Sequence, residues 1–202
     1  MFYNLKYIGL ENQYKEKLKQ HIIKRMGKEP DKLDLVLSHF EVVQVKRNEH
    51  LLMAGDVCRY VYFIIDGCLQ VYVVDKNGNE STRELYVEEQ WVTDIFGFQN
   101  QTPSNENIKS AEHSTLLRIH FQSFQELSTL VPPFAMIYKQ ILEVSYNNTV
   151  YRVNTLTSMD ALDRLKWFYE NKPKLMTRIS SKLIASYLGI SPETLTRLKS
   201  KI

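Results

Sequence analysis

The stretch that decides the fold is Ser180-Ser-Lys-Leu-Ile-Ala-Ser-Tyr-Leu-Gly-Ile-Ser-Pro-Glu-Thr-Leu-Thr-Arg-Leu-Lys-Ser-Lys-Ile202. Ser180 is a good N-cap for a first helix, and Gly189 can end that helix because glycine adopts the left-handed conformation without steric cost. Ser191 caps a second helix, and Pro192 is tolerated at its first position, where a missing N–H is harmless. The pattern predicts a helix-turn-helix.

The outward side of the second helix carries the residue types that read bases. Leu195 and Leu198 anchor this helix to the first one, in which Ala185 is small enough to permit close approach. In this motif the first turns of the second helix enter the major groove. There Arg197 can bond guanine O6 and N7, Glu193 can accept from a cytosine amino group, and the two can pair at i,i+4 spacing. The predicted base-reading residues are Glu193, Thr194, Thr196 and Arg197.

A second group of polar residues around the motif is predicted to contact phosphates, which set register and affinity without reading sequence. This group comprises Ser180, Ser181, Lys182, Ser191, Lys199 and Lys201. The competing interpretation of a Glu–Arg pair at i,i+4 is simple stabilisation of an exposed helix. The helix-turn-helix context favours base reading instead.

The distribution of charge supports a nucleic-acid partner at the C-terminal end. The 202 residues carry a formal net charge of +3, but the segment from Ser158 onward holds nine Lys or Arg against four Asp or Glu. The preceding part carries 17 against 19 and is slightly acidic. A basic module on a near-neutral partner domain is typical of DNA-binding proteins, whereas a solvated basic tail is the alternative.

Composition also limits the cellular setting and the chemistry. A 44% hydrophobic content allows a real core, no apolar run is long enough to cross a membrane, and Met1 to Lys6 lacks a signal-peptide pattern. We therefore expect a cytoplasmic protein with no membrane partner. Cys58 and Cys68 have no metal-binding spacing and are predicted to be buried free thiols, so no metal site is expected.

The region from 1 to 130 predicts a β domain with flanking helices. Short helices are expected over 15–26 and 31–39, followed by strand-like runs from Glu41 to about His120 that include 61–65 and 69–74. Tight turns are predicted at Gly55-Asp56, Asp66-Gly67 and Asn77-Gly78. The predicted fold class is α+β, with an N-terminal antiparallel β-roll.

A long dimerisation helix is predicted over 131–157, and the helix-turn-helix domain over 158–202. Pro132 and Pro133 are tolerated in the first turn of the long helix. A 3-4 spacing of mostly apolar positions predicts a coiled-coil seam in which Asn148 sets a two-stranded register. The alternative is that this stripe packs on the chain's own β domain. The predicted interface positions are Phe134, Ile137, Ile141, Val144, Asn148, Tyr151 and Thr155.

The order of these elements resembles the Crp/Fnr family of bacterial transcription regulators over nearly the whole chain. Two segments carry the resemblance: 189–197, which is similar to the family's E-T-[LIV]-[ST]-R recognition helix, and the roll segment around 55–67. The resemblance implies a cyclic-nucleotide-binding-like roll and a homodimer on palindromic double-stranded DNA with a T-G-A half-site. It further implies base reading by Glu193 and Arg197, and RNA polymerase as a further partner.

The same resemblance does not extend to the family's cAMP-binding residues. The position of the phosphate-binding arginine falls near Asn105, that of the ribose-binding glutamate falls near Asp94 or Ile95, and Glu106 would repel a phosphate. We therefore do not expect cAMP binding in the family's usual way, and no cofactor is identified. Lys109 leaves another anionic effector open, so Asp94, Asn105 and Lys109 form the candidate pocket for an unknown small molecule.

Two other classes of function were weighed. An enzyme is not expected, because the sequence contains no G-x-S-x-G, phosphate-binding glycine loop or H-E-x-x-H motif. The alternative function is a ligand-binding or protein-interaction module of the same fold with weak or no DNA binding. Because the sequence stops at Ile202, a winged-helix-like domain with little or no terminal wing is expected, and with it more salt-sensitive DNA binding.

Overall fold

The computed structural model describes the backbone from residue 2 to residue 202 and the side chains from residue 9 onward. Of the stretch Met1 to Lys6, in which no signal peptide is predicted, Met1 lies outside the described residues and the rest is described by its backbone alone. The helices are α1 (Phe2–Met26), α2 (Leu33–Ser38), α3 (Ile95–Asn100), α4 (Phe121–Leu130), α5 (Pro132–Ser158), α6 (Ala161–Asn171), α7 (Leu175–Arg178), α8 (Ser181–Leu188) and α9 (Pro192–Lys199). The strands are β1 (Glu41–Val45), β2 (His50–Leu52), β3 (Tyr60–Asp66), β4 (Leu69–Val74), β5 (Glu80–Tyr86), β6 (Trp91–Val92), β7 (Asn107–Ser110) and β8 (Ser114–His120).

The β domain consists of two four-stranded antiparallel sheets, ordered β1-β8-β3-β6 and β2-β7-β4-β5. Their facing sides bury the main hydrophobic core, which includes Phe63, Val71, Ile108 and Leu116. The predicted α+β class with an antiparallel roll is confirmed.

The predicted turns are also confirmed, because Gly55, Gly67 and Gly78 all have positive φ. Gly67, with φ +112°, is the most constrained of the three. A Cβ placed there would lie 2.1 Å from the Ser114 hydroxyl oxygen. Both its backbone angle and the close approach of β8 therefore require glycine.

The N-terminal helices differ from the prediction in their bounds. Helix α1 begins at Phe2 instead of residue 15, and α2 covers Leu33–Ser38 instead of 31–39. An ion pair between Lys15 and Glu11, 2.8 Å apart at i,i+4 spacing, joins the predicted part of α1 to the turn before it. Helix α2 is shorter because Lys32 adopts the left-handed conformation immediately before it.

Helix α5 spans the stretch predicted to be one long helix and has prolines in its first turn. In the first half of the helix, the prediction that its apolar stripe packs against a second copy of the chain is wrong. Phe134, Ile137 and Ile141 belong to the core of the chain's own β domain, and even Ile141 is only 8% exposed. They cannot supply a dimer seam, because they have almost no accessible surface left to bury.

The second half of the same stripe faces the C-terminal helices. The Tyr151 ring packs against Trp167 of α6, with their centroids 5.2 Å apart, and Thr155 is buried. Of the predicted seam, Val144 and Tyr151 remain exposed, at 41% and 43%, and Asn148 is half-buried. The face of α5 that points to solvent is a different one.

The remaining structural observations concern the thiols and the helix lengths. Cys58 and Cys68 are free and buried, as predicted, and burial raises the pKa of Cys68 to about 12.

Over the described part of the chain, no helix is both long and apolar enough to cross a membrane. Within the same residues, no group of three or more His, Cys, Asp or Glu side chains could hold a metal ion.

Candidate nucleic-acid interface and roll cavity

The local geometry of the helix-turn-helix follows the sequence closely. The Ser180 hydroxyl accepts the N–H of Leu183 and begins α8, and the Ser191 hydroxyl accepts the N–H of Thr194 and begins α9. Gly189 ends α8 with φ +66° in the left-handed region. Each cap fixes the residue at which a helix begins or ends. Together the caps define the short turn between α8 and α9 and so the angle at which the two helices cross.

Helix α9 has one buried side and one exposed side. Leu195 and Leu198 are buried against α8, whereas Glu193, Thr196 and Arg197 are exposed and Thr194 is half-buried. The structure thus places the four predicted base-reading residues on the first two turns of an accessible helix. Three of them share its outward side.

The predicted pairing of Glu193 with Arg197 is not formed: no ion pair within 4.0 Å joins them in the described residues. Glu193 instead lies at the helix N-terminus, where its own backbone N–H and the Ser191 hydroxyl hold the pKa of its carboxyl below the ordinary value. The Thr196 hydroxyl donates to the Pro192 carbonyl oxygen at 3.0 Å, so its methyl group and the lone pairs of its oxygen are left to a ligand. Arg197 is free to extend.

The predicted phosphate contacts lie around α8 and α9, but several are already hydrogen-bonded. Ser180 and Ser191 act as helix caps, and Lys199 Nζ donates to the Ser181 hydroxyl at 3.1 Å. Lys182 and Lys201 are exposed. A phosphate on this surface would therefore meet two extended lysines first, whereas the serine hydroxyls would have to share their hydrogen bonds.

Helix α8 packs directly on strand β5 of the roll. The Ser186 hydroxyl accepts the Thr82 backbone N–H at 3.0 Å and donates to the Glu80 carbonyl oxygen at 2.9 Å. The Thr82 hydroxyl lies 2.8 Å from the same oxygen atom of Ser186. The Ser186 side chain thus supplies hydrogen bonds that a neighbouring strand would otherwise give to this edge of β5. This docking of α8 leaves the outward side of α9 exposed.

An arginine clasp, formed by Arg178, Glu88 and Glu112, holds the end of α7 against the roll. Arg178 Nη2 lies 2.6 Å from a carboxylate oxygen of Glu88 and 2.6 Å from one of Glu112. The two carboxylates raise the pKa of Arg178. Burial opposes ionisation of Glu88, but hydrogen bonds from Arg178 and from the Gly67 N–H hold the pKa of Glu88 below its ordinary value.

Two further contacts connect the C-terminal helices to the rest of the chain. Lys172 Nζ lies 3.3 Å from a carboxylate oxygen of Glu84 and also donates to the Leu85 carbonyl oxygen. The buried guanidinium of Arg152, on α5, lies 4.1 Å from the centroid of the Tyr187 ring. Burial lowers the pKa of Arg152. The helix-turn-helix is therefore held by polar contacts from both the roll and α5.

An open cavity of about 600 Å³ lies between the roll and α5. Asp94 and Asn105 line it, as predicted for an effector pocket, but Lys109 does not. Lys109 instead pairs with Glu80 at 2.5 Å and lies over the Tyr72 ring. The prediction that Lys109 lines the candidate pocket is therefore wrong, because β7 directs its side chain toward β4 and β5.

The arginine that lines this cavity, Arg83, is not among the residues predicted from the sequence. Arg83 on β5 lies 2.6 Å from a carboxylate oxygen of Glu106, and burial raises the pKa of Glu106 although Arg83 opposes the rise. Strand alternation could not have placed it, because β5 is irregular at this point: Val71 pairs with Glu84 and Tyr72 with Thr82, which leaves Arg83 as the extra residue of a β-bulge.

Comparison with known proteins agrees with this architecture. The family described as cyclic nucleotide-binding domain matches residues 42–129. The cAMP-activated global transcriptional regulator CRP of Pasteurella multocida (strain Pm70) is 23% identical over 176 residues, which cover 82% of this chain and 84% of that protein.

Two solved structures share the fold. FixK2 from Bradyrhizobium japonicum has a TM-score of 0.71 at 14% identity and covers 80% of this chain and 83% of its own. The c-di-GMP-responsive global regulator CLP of Xanthomonas campestris has a TM-score of 0.68 at 18% identity, with coverages of 84% and 89%. With the cyclic nucleotide-binding domain over residues 42–129, the long helix and the helix-turn-helix in this order, the chain is similar in fold to regulators of the Crp/Fnr type.

Proposed function

We propose that this protein binds double-stranded DNA sequence-specifically through α9 and regulates transcription from a palindromic site. The observation that carries the proposal is the accessible side of α9, where Glu193, Thr196 and Arg197 project from a capped helix anchored by two buried leucines. The docking of α8 on β5 leaves this side exposed. A helix of eight residues presented in this way is suited to enter a major groove.

The proposed DNA complex contains two copies of the chain. The solvent side of α5 carries Tyr146, Val150 and Val153, which are 70%, 41% and 54% exposed. Together with Met136 they lie on a 3-4 pattern two positions along from the predicted one, and so on nearly the opposite side of the helix, although the intervening positions of this pattern are the charged Lys139 and Glu143. Pairing through this stripe would bury apolar surface that a single chain leaves in water.

We further propose that the regulator does not respond to cAMP and that RNA polymerase is its partner on DNA. A cyclic phosphate in the roll cavity would meet the carboxylates of Asp94 and Glu106, and the Arg83 guanidinium there is already paired. Repulsion by carboxylates and the loss of an existing ion pair both oppose binding of an anion.

Selection from random duplexes, followed by fluorescence anisotropy on the enriched site, tests the DNA proposal. Arg197→Ala should weaken binding by about 1–3 kcal/mol and relax preference at one base pair per half-site. Arg59→Ala, an exposed arginine of the roll, serves as the matched control and should leave affinity unchanged. Recovery of no enriched palindrome would support the alternative function, a ligand-binding or interaction module.

Light scattering tests the dimer. Val150→Glu together with Val153→Glu should give monomers, because two charges would face each other across the seam. Gln125→Glu, at an exposed position of α4 outside this stripe, controls for added charge and should remain dimeric. An unchanged mass for the valine variants would count against this interface.

A further inference from the structure

The roll cavity has a composition that DNA binding does not explain. Its volume of about 600 Å³ lies within the range of small-molecule sites. Ile95, Pro103 and Leu142 give it apolar walls, and Arg83, Asp94 and Glu106 are the charged residues that line it. The cavity therefore carries two carboxylates against one guanidinium, which amounts to one excess negative charge.

The excess charge is located on Asp94. Arg83 is paired with Glu106, whereas no cationic side chain of the described residues lies within 4.0 Å of the Asp94 carboxylate. Asp94 is 8% exposed, and one of its oxygens accepts the Gly97 N–H at 3.1 Å. A carboxylate this buried without a cationic partner is costly in free energy, so a positively charged ligand would be favoured beside it.

Two large aromatic side chains stand exposed at the same cavity. Phe96 on α3 is 71% exposed and Tyr146 on α5 is 70% exposed, and both line the cavity. Aromatic ring faces attract cations, and they do so most strongly for organic cations that shed water easily. A buried carboxylate with flanking rings is a combination that recognises ammonium groups.

We propose that the roll cavity binds a small organic cation, an ammonium or quaternary ammonium group on an apolar body. Asp94 supplies the counter-charge, Phe96 and Tyr146 supply ring faces, and the Arg83–Glu106 pair lines the cavity without adding net charge. The proposal deepens the proposed function, since it makes this cavity the effector site of the regulator. The binding step itself needs no DNA.

Calorimetry on the full chain tests the proposal with choline, benzyltrimethylammonium and the neutral isostere of choline, 3,3-dimethylbutan-1-ol. At least one of the two cations should bind saturably, and choline should bind about tenfold more tightly than its isostere. Absence of saturable binding by both cations would overturn the proposal. So would equal binding of choline and its isostere, or tighter binding of cAMP than of either cation.

Two variants separate the charge of Asp94 from its structural role. Asp94→Asn should weaken binding of the cation about tenfold, while asparagine still caps α3. Asp160→Asn makes the same change at the N-cap of α6, away from the cavity, and should leave binding unchanged. Equal affinities of the two variants would refute the role of Asp94.

DNA binding, measured on the same preparation, distinguishes the two proposals. Loss of cation binding with intact site-specific DNA binding would remove the effector inference and leave the proposed function in place. Cation binding without DNA binding would do the reverse.

Discussion

Replacing Arg178 by alanine removes the arginine clasp between α7 and the roll. Its guanidinium makes four contacts with carboxylate oxygens: Nε and Nη2 to Glu112 at 3.1 and 2.6 Å, and Nη1 and Nη2 to Glu88 at 3.2 and 2.6 Å. All three side chains are between 23% and 33% exposed. Exposed pairs contribute at most about 1 kcal/mol, and breaking a buried one costs about 3–5 kcal/mol. Arg178→Ala should thus lower the free energy of unfolding by about 2 kcal/mol.

Urea unfolding followed by Trp167 fluorescence in a Trp91→Phe background measures this loss in the C-terminal helices. Arg118→Ala is the matched control, because Arg118 also donates from Nε and Nη2 to a carboxylate oxygen, that of Glu41, but within the roll. The control should cost about 1 kcal/mol or less. If the two variants lose the same stability, the clasp does not hold the C-terminal helices.

The clasp also predicts a pH dependence. A carboxyl whose pKa is depressed in the folded state adds stability that is fully present above its unfolded pKa, about 4.3 for glutamate, and is lost as pH falls through the lower folded value. Glu88 is such a group. The wild type should therefore lose more stability than Arg178→Ala below about pH 4.3. Parallel acid profiles would contradict the role of Arg178.

Three further substitutions test other parts of the fold. Ser186→Ala should lower the free energy of unfolding, measured in urea, by about 1–2 kcal/mol, because the Thr82 N–H loses its hydrogen-bond acceptor. Ser181→Ala, at the start of the same helix, is the control and should lower it less. Gly67→Ala should lower the free energy of unfolding by about 2–5 kcal/mol. Gly78→Ala, where no atom lies within 4 Å of the added Cβ, should lower it by about 1 kcal/mol. Equal unfolding midpoints of the two variants would show that the contact with Ser114 is relieved. Burial lowers the pKa of His21, so stability should fall as pH drops below about 6.5, and thermal melts of His21→Gln should not show this fall.

The local features of this protein were predictable because they depend on neighbouring residues alone. Glycine at 67 and 189 and serine at 180 and 191 act through backbone angles and hydrogen bonds that span three or four residues. The same holds for the two strands on either side of the turn at Gly67, whose composition and boundaries follow short-range preferences.

The helix stripe shows where local information ends. A 3-4 spacing shows that Phe134, Ile137 and Ile141 share one side of α5, but the same spacing serves equally for a partner helix and for the chain's own sheet. Which of them covers the stripe depends on how the chain folds back on itself: α4 packs on α5, with the Phe124 and Phe134 ring centroids 4.9 Å apart, and all three residues join the core of the β domain. Because Phe134, Ile137 and Ile141 are buried within the chain, they cannot form the dimer interface. The exposed stripe on the other side of α5 is therefore the candidate interface.

The sequence by itself determined the helix-turn-helix and the residues that its second helix turns outward, because amphipathic periodicity and caps are properties of one short segment. Only the tertiary structure decided the composition of the roll cavity and the clasp. Arg83 reaches Glu106 and Arg178 reaches Glu88 across 23 and 90 residues. Such pairs arise from sheet registry and domain docking, which bring together charges whose spacing along the chain carries no signal.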